Sequence, residues 1–65
     1  MKGKTTGSVL RAFRVMADLD TKYVAEKIGR SEETVRRWER DATSPTYDDL
    51  KVLRDLYGDF FGFLP

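Results

Sequence analysis
The stretch from Thr21 to Arg40, TKYVAEKIGRSEETVRRWER, constrains the fold more than any other part of the chain. Val24, Ala25 and Ile28 recur at helical spacing and form one apolar stripe. Gly29 follows at once. Without a Cβ it enters the left-handed region at little cost, which is what the end of a helix needs. Ser31 is then a candidate N-cap, because its hydroxyl accepts from an unpaired backbone N–H at the start of the next helix. In that next helix only Val35 and Trp38 are strongly apolar, three apart and on one face.

The other face of the second helix carries the information. At roughly 100° per residue, Glu32, Glu33, Arg36, Arg37 and Arg40 fall in one continuous arc, while Thr34, Val35, Trp38 and Glu39 fill the rest. A narrow apolar seam under a broad charged face suits a helix that docks lightly on its own domain and leaves its outer side free to enter a groove. That is the physical logic of a helix-turn-helix, whose second helix occupies the DNA major groove.

Size and composition narrow the alternatives. Sixty-five residues make one domain at most, with so little core that close helix packing or a second copy has to supply stability. The chain has no cysteine and no histidine, so it lacks thiolate and imidazole metal ligands and the commonest general base. No acid–base or nucleophilic machinery can be named, and the expectation is a non-enzyme without cofactor or metal. Lys2 and Lys4 precede Thr5, Thr6, Gly7 and Ser8, with no apolar run of a signal peptide. No stretch approaches the ~20 residues of a membrane helix, and a soluble cytoplasmic protein is expected. The net charge is only +1, but it is unevenly spread: residues 1–40 hold ten Lys/Arg against six Asp/Glu, and residues 41–65 two against five. A basic front and an acidic back orient a molecule toward a polyanion.

In chain order, residues 1–6 read as a loose arm. Val9, Leu10, Phe13 and Ala17, flanked by Met16, predict a helix over Ser8–Asp18, with Arg11 and Arg14 off its stripe. Asp20 is placed to cap the helix Thr21–Ile28. After Arg40 the segment 41–45 is a loop that Pro45 closes to helix. Thr46 with Asp49 suggests a capping box opening a fourth helix, whose buried face is expected to hold Tyr47, Leu50, Leu53 and Tyr57. Gly58 ends it, and residues 59–65 form an aromatic tail with three of the four phenylalanines.

From Gly7 to Gly58 this pattern resembles the phage repressor and Cro-like helix-turn-helix family. The resemblance rests on Ala25 at the helix crossing, Gly29 in the turn, and Val24, Ile28, Val35 and Trp38 between the helices. The runs Trp38-Glu39-Arg40 and Ser44-Pro45-Thr46 add to it. It implies an all-α, lambda repressor-like bundle of four to five helices, with a recognition helix at about 32–41 and 1–65 as a single domain. It also implies a structural ion pair between Arg14 and Glu39. The family's base-reading positions match Glu32, Glu33, Thr34, Arg36 and Arg37. Thr21, Lys22, Arg40 and Ser44 match its phosphate contacts.

Arginine can be bidentate to guanine and glutamate can accept from cytosine N4, so the helix suits G·C-containing steps. The alternative is that Glu32–Arg36 and Glu33–Arg37 are ordinary i,i+4 pairs on a solvated face. Phe60, Phe61 and Phe63 either cap a small core or meet their copies in a homodimer. Departures from the family include Thr21 where glutamine is frequent, Arg30 where an apolar residue is usual, and a loop 41–44 without a cation. They imply weaker, more salt-sensitive DNA binding, or a surface moved toward a protein partner. The expected function is a transcriptional regulator binding operator DNA; the alternative is an antirepressor or antitoxin-like protein binder.

Overall fold
The computed structural model describes residues 6–58, which form four helices and no strand. They are α1 (Thr6–Met16), α2 (Thr21–Ile28), α3 (Glu32–Glu39) and α4 (Tyr47–Tyr57). The expectations for residues 1–5 and for Phe60, Phe61 and Phe63 lie outside the described residues. Helix α3 packs on both α1 and α2, and α4 packs on α2. One face of each helix meets in a core of Leu10, Phe13, Val24, Ala25, Val35, Trp38, Leu53 and Tyr57. Val24, Val35 and Leu53 are fully buried. The rings of Phe13 and Tyr57 meet edge to face at 6.5 Å, an arrangement aromatic quadrupoles favour.

The ends of α1, α2 and α3 share one device. Gly29 takes φ 75°, and the N–H of Arg30 donates back to the Ala25 carbonyl at 3.0 Å. Two aspartates do the same elsewhere. Asp18 (φ 60°) follows α1, with Leu19 N–H on the Arg14 carbonyl at 3.1 Å. Asp41 (φ 63°) follows α3, with Ala42 N–H on the Arg37 carbonyl at 2.9 Å. In each case a left-handed residue lets the next N–H satisfy a carbonyl that the helix end leaves open. At the other ends Asp20, Ser31 and Thr46 accept from the N–H groups of Tyr23, Thr34 and Asp49.

Three expectations need correction. Helix α1 runs over Thr6–Met16, two residues earlier at each end than predicted, because Gly7 is the contact with α3 and Asp18 is the turn. The second helix of the pair ends at Glu39 instead of about 41, since Arg40 caps it and Asp41 turns left-handed. Tyr47 is 75% exposed. At ~100° per residue it lies about 120° round the helix from Leu53, and its ring packs under the Lys51 ammonium at 5.0 Å. Asp49 takes the inward place instead.

Candidate nucleic-acid interface
Helix α3 is held from behind by several independent ties. Val35 and Trp38 are buried against α1 and α2. Gly7, in the first turn of α1, lies so close that a Cβ there would sit 2.5 Å from the Trp38 carbonyl oxygen. The Gly7 N–H donates to the Asp41 carboxylate at 3.0 Å, tying the start of α1 to the exit of α3. Arg14 of α1 makes a forked contact with Glu39, Nε to Oε2 at 2.7 Å and Nη2 to Oε1 at 3.1 Å. Its Nη1 donates to the Leu19 carbonyl at 2.8 Å. The Glu39 hydrogen bonds hold the Arg14 guanidinium above its usual pKa, against the opposing effect of burial. Burial, helped by the Glu39 charge, pushes the neighbouring Tyr57 phenol up to about 12, so it stays neutral.

With its back fixed, α3 presents Glu33, Arg36, Arg37 and Arg40 to solvent, with Glu32 and Thr34 half-buried beside them. These side chains are not independent. Arg36 Nη2 donates to Glu32 Oε2 at 3.0 Å, and the Thr21 hydroxyl donates to the same oxygen at 2.6 Å. Arg37 Nε and Arg40 Nη2 share Glu33 Oε2 at 3.2 and 3.4 Å. The Arg40 and then the Arg37 hydrogen bond hold the Glu33 carboxyl below the usual carboxylate range. Thr34 lies within 2.9 Å of the Ser31 hydroxyl, so its Oγ1 belongs to the cap as much as to the outer face. Lys22 and Ser44 are exposed.

Two features of this region were not read from the sequence as functional. Arg11 lines an open cleft of about 360 Å³ together with Thr21, Arg36 and Arg40, above the Arg14–Glu39 pair. Its position one turn before Arg14 was the available signal. Arg30 pairs through a fork with Asp49, Nε to Oδ1 at 3.1 Å and Nη2 to Oδ2 at 3.2 Å. This ties the turn between α2 and α3 to the first turn of α4 and accounts for a charged residue after Gly29. Burial would raise the Asp49 carboxyl; the Thr46 backbone N–H, Arg30 and the Thr46 hydroxyl outweigh it and keep it below its ordinary value.

Among the described residues, no group of three or more acidic, histidine or cysteine side chains is placed to hold a metal ion. No described helix is long and apolar enough to cross a membrane. Against known proteins, the family described as "Helix-turn-helix domain" matches residues 7–58, most of the chain. The chain belongs to the helix-turn-helix domain family. Neither a curated protein nor a solved structure matches it significantly. Within the helix-turn-helix, α2 and α3 are the two motif helices and residues 29–31 the turn. The family supports DNA binding by a regulator in general terms, and helix-turn-helix domains are typically not enzymes.

Proposed function
We propose that this chain is a sequence-specific transcriptional regulator of the phage repressor/Cro type, which lays α3 in the major groove of an operator. The observation that carries the reading is the division of α3: three exposed arginines on one side, Val35, Trp38 and the Arg14–Glu39 fork on the other. Arg36 and Arg37 read base edges, with Glu32, Glu33 and Thr34 selecting among steps. Thr21, Lys22, Arg40 and Ser44 contact phosphates. The regulator acts in the prokaryotic cytoplasm as a homodimer joined through Phe60, Phe61 and Phe63, and so binds a two-fold related site.

Selection of sites from random duplex DNA tests the proposal directly. A recovered inverted repeat supports it, and a pool that never enriches counts against it. Removing Phe60 and Phe61 should shift sedimentation toward the monomer; unchanged mass would end the dimer assignment. The acidic start of α3 and the cation-free loop after it favour a second reading, an antirepressor or antitoxin-like protein binder. A salt titration separates the two. A regulator neutralising several phosphates loses affinity steeply as salt rises, whereas a pure protein binder forms no duplex complex even at low salt.

A further inference from the structure
The outer face of α3 answers its own charges before any ligand arrives. Glu32 Oε2 receives Arg36 and the Thr21 hydroxyl, and Glu33 Oε2 receives Arg37 and Arg40. All three arginines assigned above to DNA are therefore engaged by carboxylates of their own helix. The pairs are open to water: Arg37 and Glu33 are 55% and 52% exposed. Exposed pairs of this kind add little to stability, so the arginines exchange partners at small cost.

The carboxylates left behind are harder to satisfy. Against a phosphate, or against O6 and N7 of guanine, a released glutamate meets negative charge or acceptors only. Against the amino group of cytosine N4 or adenine N6 it meets a donor. Every base pair carries one such amino group on one strand or the other. Partner exchange is thus balanced where the sequence sets it opposite Glu32 or Glu33 and opposed where an acceptor stands there instead. Resting on the DNA-binding reading above, we propose that Glu32 and Glu33 are discriminators. They hold Arg36, Arg37 and Arg40 back from non-specific duplex and release them where base amino groups take over the carboxylates. Their contribution to specificity is chiefly the rejection of wrong DNA.

Fluorescence anisotropy over a salt series tests this, comparing a selected site with a random duplex of equal length. The proteins are the wild type, E33Q, E32Q/E33Q and D55N, the last changing net charge on α4 as E33Q does on α3. Glutamine keeps the length and polarity of the side chain and removes its charge. E33Q should bind random duplex roughly fivefold more tightly, the effect of removing one like-charge contact in water. The double variant should gain more, with a steeper salt dependence. The selected site gains less, so the ratio between the two duplexes shrinks, while D55N changes little.

Equal gains on both duplexes, or the same gain from D55N, would overturn the discriminator role in favour of a bulk charge effect. A wild type that selects its site beside an E33Q protein with unchanged random-duplex affinity would sink the discriminator role alone. If no variant binds duplex at low salt, the DNA-binding reading falls and takes this one with it. Thermal melts followed by circular dichroism confirm folding, since neither glutamine substitution removes a core contact.

Discussion
Arg14–Glu39 and Arg37–Glu33 are the same chemical pair on two faces of one eight-residue helix, the first joining it to α1 and the second lying within it. The first is 14% and 8% exposed, forked, and tied further to the Leu19 carbonyl. The second is 55% and 52% exposed and shares its carboxylate with Arg40. Burial decides what each can do. A carboxylate shut away from water has no second partner to turn to, so its loss is felt by the fold. A carboxylate facing water trades partners freely, so its loss is felt by whatever approaches. The rear of α3 is therefore a matter of stability, and the front, on the proposed reading, a matter of recognition.

The comparison can be broken from either side. The largest effect is expected at the rear: Trp38→Ala should cost about 3–5 kcal/mol, read as a loss of cooperative melting in a domain this small. Arg14→Ala should cost on the order of 2–4 kcal/mol by leaving the Glu39 carboxylate enclosed and uncompensated. Chemical denaturation measures it, and R14M/E39L should lie closer to the wild type than R14M alone. A double variant no better than the single would show that the stranded Glu39 carboxylate is not the source of the loss.

Gly7→Ala comes next. Alanine is ordinarily the better helix former by about 1 kcal/mol. Here its Cβ would meet the backbone oxygens of Trp38 and Glu39 at 2.5 and 2.9 Å. The balance should turn to a loss of about 1–3 kcal/mol, and a raised melting temperature would refute the close approach. At the front, Arg37→Ala should leave the melt almost unchanged while costing about 1–3 kcal/mol on a selected duplex and relaxing one base-pair preference. Lys22→Ala should weaken all duplexes alike. Equal losses on selected and random DNA for Arg37→Ala would remove its base-reading role.

The Arg30–Asp49 pair stands between the two extremes, 46% and 8% exposed, and gives the smallest and most pH-specific effect. The Asp49 carboxyl lies below its ordinary 3.8 in the folded protein. Its contribution is therefore fully present above that value and is lost as pH falls through the folded pKa. Denaturation midpoints measured from neutral to strongly acidic pH should drop in that acid range, and D49N should flatten this part of the profile. An unchanged profile in D49N would assign the acid sensitivity to other carboxylates.

What the sequence made legible was local. Val24, Ala25, Gly29, Ser31, Val35 and Trp38 announce two helices and a turn because periodicity and capping act within a few residues. The exposed arc of Glu32, Glu33, Arg36, Arg37 and Arg40 follows from the same periodicity, as do the i,i+4 pairs within it. Contacts that join distant parts of the chain were not legible in the local pattern. Arg14–Glu39, 25 residues apart, was expected through the family resemblance and not from periodicity or capping. Gly7 and Asp41 are 34 residues apart, and Arg30 and Asp49 are 19 apart. Nothing local in either partner marks such a pair. Asp18 and Asp41 were missed as left-handed residues because aspartate is a less frequent occupant of that region than glycine. Tyr47 misled because an aromatic three residues before Leu50 fits an apolar stripe by type while pointing elsewhere by angle.

The bond from Gly7 to Asp41 also has a practical side. It sets the beginning of the first helix beside the stretch where the chain leaves α3. On the proposed DNA-binding reading, a purification handle, fluorophore or fused protein joined at the start of α1 sits next to the surface a binding assay needs clear, so handles joined there should depress measured affinities unless cleaved.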